Sequence, residues 1–382
     1  MTLRAIVIGA GWAGEGHTLA LQAAGVEVVA LCGRTPDPAR AMAEKLGVKE
    51  VRFDWHKALV EFQPTIVAIA TPARPHREIT VAAAEAGCHV VCEKPLAVHA
   101  GEAREMLAAV ERAGVKHAYA ATGCYAAPYL HARALLTEGR IGQVRDIEYL
   151  MHIGSLPPTL PYSWFHQLNE GGGMLNNLFT HQLQQVLLMT GGAVTAVMGR
   201  TSSSIDRAPV GPAVHDFRQF FEAVLTPEQA ATAKWRAVDV DFGFTLLAQL
   251  RMPNGHIATA LFATPAEASL PQPNYIALHG TQGTLYLASA PGGWWPDDNM
   301  QHFDTGVATW NEISIPRDVV DALPAVEDHV QRQWNQFFRD FVADVRGEGY
   351  AGYPTFRDGW IAVEVTDIAR SGQSWTPVDG TS

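Results

Sequence analysis

At 382 residues, 47% hydrophobic and 18% charged, the chain holds enough apolar sequence for two domains, each with its own core. A formal net charge of −11 without a clustered basic face excludes a nucleic-acid surface, and no run reaches the roughly 18 apolar residues of a membrane span. Glycine interrupts the apolar N-terminus within nine residues, so it reads as a first strand and not a signal peptide, and Cys32, Cys88, Cys92 and Cys124 read as buried thiols of a cytoplasmic protein, not as a metal site.

Residues 3–8 form an apolar strand that runs into a G-x-G-x-x-G turn, Gly9-Ala10-Gly11-Trp12-Ala13-Gly14, and the helical pattern Leu19, Leu21, Ala24 follows. Gly9 permits the tight turn, Gly11 lets backbone approach a pyrophosphate, and Gly14 lets the helix pack on the strand. The helix amides, Trp12 and Ala13 among them, then face the phosphates of a dinucleotide. A second strand, Val28–Cys32, ends in Gly33-Arg34-Thr35, where an NAD site usually carries Asp or Glu for the ribose hydroxyls. Without that carboxylate a 2′-phosphate is not repelled, and Arg34, with Arg40 further on, can grip it through a guanidinium fork. The expected cofactor is therefore NADP(H) in preference to NAD(H).

The pattern then alternates. Helices are expected over 38–46, 55–62, 76–86 and 101–113, and strands near Val51 and over 65–70, 89–92 and 116–120. Continuous apolarity in 65–70 suits a strand buried on both faces, and this one stops at Thr71-Pro72. Such alternation predicts a Rossmann domain over 1–123, a doubly wound parallel sheet whose ligand crevice lies at the carboxyl ends of its strands. Beyond it, 124–382 reads as an α+β substrate and oligomerisation domain. Its large, open, mostly antiparallel sheet includes 146–153, a hairpin 246–251/257–262 and a hairpin 275–279/284–287. An insertion over about 202–239 carries a capping box at Thr226-Pro227-Glu228-Gln229, and helices close the chain over about 328–371. The face of the sheet left free by the helices is an expected homodimer or homotetramer interface.

Two places carry reactive side chains. Lys94 stands at the end of strand 89–92, on the crevice rim, where Pro95 keeps its backbone extended; a partly desolvated lysine there can donate to a carbonyl or alkoxide oxygen. The run Gly171-Gly172-Gly173 opens a helix that puts Asn177 and His181 on one face, four residues apart. His181 can act as general acid or base, whereas Asn177 can only orient a partner or hold a hydroxyl. Tyr125, Trp164 and His166 are candidate walls of a substrate pocket, while Trp294, Trp295 and Trp310 read more simply as packing or interface residues.

The glycine turn, Thr71-Pro72 with His76, Cys92-Glu93-Lys94-Pro95, residues 139–144, the triple-glycine helix ending in His181 and the tail 354–372 together resemble the glucose-fructose oxidoreductase, inositol dehydrogenase and rhizopine-catabolism family along nearly the whole chain. The resemblance implies hydride exchange between a nicotinamide cofactor and a secondary alcohol or ketone of a sugar or cyclitol, with Lys94 and His181 catalytic and Thr71, Pro72, His76 and Glu93 joining the cofactor site. It also leaves open a glycoside-cleaving enzyme that oxidises its substrate transiently with a retained cofactor. Asn177 stands where that family commonly has Asp, which shifts acid–base work onto Lys94 and His181 and is the main support for a non-catalytic dinucleotide sensor.

Overall fold

The computed structural model describes residues 2–153, 156–214, 217–220, 222–267, 272–290, 300–372 and 374–381. Six short apolar segments build the first sheet: β1 (Arg4–Ile8), β2 (Glu27–Cys32), β3 (Glu50–Arg52), β4 (Ile66–Ile69), β5 (His89–Cys92) and β6 (His117–Tyr119). All pairings are parallel, in the order β3-β2-β1-β4-β5-β6. The helices α1 (Trp12–Ala23), α2 (Pro36–Leu46), α3 (Trp55–Phe62), α4 (His76–Glu85) and α5 (Ala100–Ala113) supply the crossovers. Strand order reverses between β1 and β4, so the crevice opens where Gly9, Thr71 and Lys94 leave the sheet.

After α6 (Ala127–Thr137) the chain enters a second sheet with β7 (Val144–Leu150) and returns through α7 (Thr180–Thr190) to β8 (Ala193–Ser202). The insertion holds β9 (Arg207–Pro209), α8 (Phe217–Phe220), α9 (Pro227–Thr232) and β10 (Trp235–Ala237). Its β9/β10 ribbon is separate from the main sheet, and Thr226 and Gln229 form the expected capping box. The sheet is completed by β11 (Gly243–Arg251), β12 (Ile257–Thr264), β13 (Tyr275–Gly280), β14 (Gly283–Ala288), β15 (Met300–Asp304), β16 (Thr309–Ile313) and β17 (Thr376–Pro377). Its nine strands run β16-β15-β14-β13-β7-β12-β11-β8-β17, antiparallel except for the parallel pair β7/β12. Strict alternation along β11, β12 and β14 puts Leu246, Leu250, Phe262, Leu285 and Leu287 into the core under the helices. The opposite face stays open.

The helices α10 (Arg317–Asp321), α11 (His329–Val345) and α12 (Phe356–Ser371) close the chain, and α11 folds back onto the first sheet. Trp334, Phe337, Phe338 and Phe341 of α11 are buried against Val7, Leu21 and Leu31, so part of 124–382 completes the core of the N-terminal lobe. Trp334 occupies the space above Gly16 so closely that a Cβ there would lie 2.2 Å from its ring. α12 divides its apolar residues between the lobes: Phe356 and Val363 face one core, Ile361, Val365 and Ala369 the other. All four cysteines are buried thiols, and no helix among the described residues is long and apolar enough to cross a membrane.

Candidate active site

The glycine turn forms a phosphate cradle. Gly9 has φ +126°, and a Cβ there would lie 2.3 Å from the Ala70 carbonyl; one on Gly14 would lie 1.9 Å from the Gly9 carbonyl. Gly11 caps α1 without a side-chain hydrogen bond, leaving the first helix amides directed at the crevice. At the end of β4, Thr71 Oγ1 is buried without a hydrogen-bond partner. A cradle with no room for side chains, open helix amides and an unsatisfied hydroxyl fit a dinucleotide.

Lys94 leaves β5 half-buried, and its ammonium donates to Asn177 Oδ1 at 3.2 Å. The Asn177 amide nitrogen in turn donates to the carbonyls of Gly171 (3.1 Å) and Gly173 (2.8 Å), so both ends of the amide are used and its orientation is fixed. Asn177 lies in a π-helical turn, Leu175–Phe179, that runs directly into α7 with His181 in its first turn. Burial pushes Lys94 below the ordinary lysine range, with the Glu93 carboxylate opposing the shift. Burial, reinforced by the Lys94 charge, pulls His181 down to about 3 and keeps its imidazole neutral.

Close packing accounts for the three glycines. A Cβ on Gly172 would lie 2.4 Å from the Phe165 carbonyl, and Gly173, at φ +87°, turns the chain against the Asp241 carboxylate. Asp241 accepts from Leu175 N at 2.6 Å and from Nε and Nη2 of Arg370 at 3.1 and 3.0 Å, while its carbonyl accepts from Met174 N. A buried carboxylate thus caps the π turn and is itself neutralised by α12.

The first part of the chain, residues 3–120, matches the family model described as "Oxidoreductase family, NAD-binding Rossmann fold", and residues 129–286 match the "GFO/IDH/MocA C-terminal domain". The chain belongs to the GFO/IDH/MocA oxidoreductase family. This GFO/IDH/MocA oxidoreductase is 29% identical over 297 residues to levoglucosan dehydrogenase of Pseudarthrobacter phenanthrenivorans, across 73% of this chain and 72% of that one. With D-glucoside 3-dehydrogenase of Escherichia coli it shares 32% identity over 169 residues, 44% of this chain and 47% of that one. A solved structure described as levoglucosan dehydrogenase in complex with NADH and L-sorbose has the same fold: TM-score 0.81 over 100% of both chains, at 24% identity.

Several expected contacts of this family member fall elsewhere. His76 is fully buried and its ring lies between the Thr71 carbonyl (2.9 Å) and those of Pro95 and Leu96 (both 3.1 Å), so it ties the two crevice loops together. Glu93 is also buried, its carboxylate accepting from His17 and from Lys94 N. His166 is fully buried, stacks on Tyr162 and accepts from Ser163 N through Nδ1, and burial lowers it to about 4; it is a capping residue and not a pocket wall. Tyr125 is buried and packs edge-on against Phe337, which places it in the α11 core. Trp164 stays half-exposed beside the glycine run. Arg34 and Thr35 are exposed after β2, whereas Arg40 sits 3.8 Å from Asp37 with its guanidinium over Phe53. Trp294 and Trp295 lie outside the described residues.

The insertion packs on the strand-to-helix loop that carries Trp164: Tyr162 N donates to the Pro209 carbonyl, Leu168 N donates to Asp239, and Arg236 lies over Tyr162. Across the crevice mouth Arg74 pairs with Glu170 at 3.1 Å. His17, Asp241 and Arg370 are the supporting residues that sequence reasoning missed. Nothing local marks Asp241, and only the Arg370 position in the last turn of a helix hinted at a charged partner.

Proposed function

We propose that this oxidoreductase transfers a hydride to or from a secondary alcohol carbon of a monosaccharide-sized sugar, sugar derivative or cyclitol. The observation that carries the reading is the Lys94–Asn177 hydrogen bond, with His181 following on the same helical segment, at the mouth of a dinucleotide crevice. The names of the relatives, levoglucosan dehydrogenase, D-glucoside 3-dehydrogenase and inositol 2-dehydrogenase, support that substrate class. The bound nicotinamide supplies or accepts the hydride. Lys94 handles the proton: its ammonium donates to the carbonyl oxygen in reduction, and its amine takes the hydroxyl proton in oxidation. Asn177 cannot exchange protons and aims the lysine, and neutral His181 hydrogen-bonds the reacting hydroxyl and relays its proton. Trp164 offers a ring face to sugar C–H groups.

The cofactor in this reading is NADP(H) in preference to NAD(H), supported by Gly33-Arg34-Thr35 at the end of β2 and by the exposed Arg34. The partner in this reading is a second copy of the chain paired through the open sheet face, where Tyr275, Tyr286, Phe303 and Trp310 form an aromatic row. The test is a spectrophotometric screen of sugars, anhydrosugars, glycosides and cyclitols with NADP+ and NAD+. Cofactor reduction on at least one of them is expected, and its loss in Lys94→Ala with an unchanged melting temperature. Full turnover by Lys94→Ala refutes the reading.

A further inference from the structure

The Lys94 ammonium meets a neutral amide, the Asn177 side chain, while the carboxylate of the neighbouring Glu93 is buried at the Lys94 backbone amide. Glu93 has 6% of its surface exposed and uses both oxygens as acceptors: Oε1 from His17 Nε2 at 3.0 Å, Oε2 from Lys94 N at 3.0 Å. Two donors aimed at one carboxyl favour its ionised form, because a proton on either oxygen would displace a donor and find no acceptor of its own. His17 is sealed by aromatic rings of α11, Trp334 at 5.9 Å and Phe338 at 5.0 Å, and its Nδ1 has no partner, so a second ring proton would find no acceptor. The imidazole therefore serves as a donor to Glu93.

We propose that His17 and Glu93 form a buried dyad, reaching from the cofactor-binding helix to the back of Lys94, whose fixed negative charge sets the protonation state of the Lys94 amine. It rests on the reading of Lys94 as the proton-handling group. The other titratable groups around the dyad do not supply that charge. His181 from α7 is held neutral by burial, burial lowers His76 from α4 while its carbonyl contacts oppose the shift, and Tyr119 from β6 and Cys92 on β5 have their ionisation pushed up by burial. Through the protein interior a buried carboxylate acts on the half-buried lysine with less screening than in water. Removing the charge takes away what favours the ammonium, so Lys94 must titrate at lower pH. His17 and Glu93 act through Lys94 and are positioning residues.

The experiment is competitive acetylation of the full-length protein with trace acetic anhydride across pH, with the Lys94 peptide followed by mass spectrometry. It reads the lysine without substrate turnover. Glu93→Gln should lower the half-titration of Lys94 by about one pH unit or more, while Glu93→Asp, which keeps the charge, should stay near wild type. Identical titrations in wild type and Glu93→Gln, or equal shifts in both variants, overturn the proposal. If Glu93→Gln does not fold, carbon NMR of labelled glutamate carboxyls, assigned with Glu93→Asp, decides it: ionised Glu93 at neutral pH supports the dyad, protonated Glu93 overturns it. A labelling shift without a matching shift in kcat/KM, in its acid limb for oxidation or its alkaline limb for reduction, supports the dyad and overturns the role of Lys94 in proton transfer.

Discussion

Replacing Asp241 by alanine tests whether the π turn depends on its buried cap. The variant leaves Leu175 N without its 2.6 Å acceptor and strands Arg370, whose side chain is 16% exposed, without its two contacts at 3.0 and 3.1 Å. An orphaned buried amide costs about 1–3 kcal/mol and a buried pair broken on one side about 3–5 kcal/mol. The two losses share one carboxylate and are not additive, so about 4 kcal/mol is expected. At roughly 2 cal/mol/K per residue the unfolding entropy of a chain this size is about 0.8 kcal/mol/K, giving a fall in melting temperature of about 5 °C. Because Asn177 and His181 hang from the freed turn, a displacement near 1 Å should also lower kcat by about 100-fold. KM for the cofactor should change little, since the α1 cradle is untouched. Asp241→Asn keeps an oxygen for Leu175 N and should cost about half as much, about 2 kcal/mol, and Asp241→Asn/Arg370→Gln should lose less than the two single changes together. Melting curves and steady-state kinetics decide it; a melting temperature within 1 °C of wild type with kcat within twofold refutes the capping argument.

His181→Ala should lower turnover on the order of 100-fold or more at an unchanged melting temperature, the usual range for a general acid–base group. Arg34→Ala should weaken NADPH about tenfold or more and leave NADH nearly unchanged, read as dissociation constants by fluorescence titration. Stability should fall in acid. His117 and His166 are lowered to about 4 and His181 to about 3, all mainly by burial, so below about pH 6.5 the unfolded chain binds protons that the folded one refuses. Three such groups give a slope of up to about 4 kcal/mol per pH unit near pH 5, the loss growing as the pH drops, measurable by urea unfolding at pH 7.5 and 5. Trp310→Glu on the open sheet should reduce the sedimenting mass toward that of one chain.

The glycine turn and the buried β4 run placed the crevice because phosphate binding and burial on both faces leave local traces in sequence. Lys94, Asn177 and His181 were legible for a similar reason: a strand end and an i, i+4 spacing are short-range facts. The burial of His76 and Tyr125 was not legible, because the Pro95 and Leu96 carbonyls and the Phe337 ring that hold them come from distant segments, and His166 is buried although its hydrogen bond is local, to Ser163 N. Asp241 and Arg370 lie 129 residues apart and Glu93 and His17 lie 76 apart, so no window of sequence contains either pair.

The return of α11 to the first sheet bears on how the chain is made. A ribosome that has finished β6 at Tyr119 must add more than two hundred residues before Trp334, Phe337 and Phe341 emerge, roughly ten to forty seconds at ordinary elongation rates. During that interval the apolar face around Val7, Leu21 and Leu31 is uncovered, and a chain halted before α11 would present it to every other nascent protein. The core of the N-terminal lobe is therefore complete only when the last helices arrive.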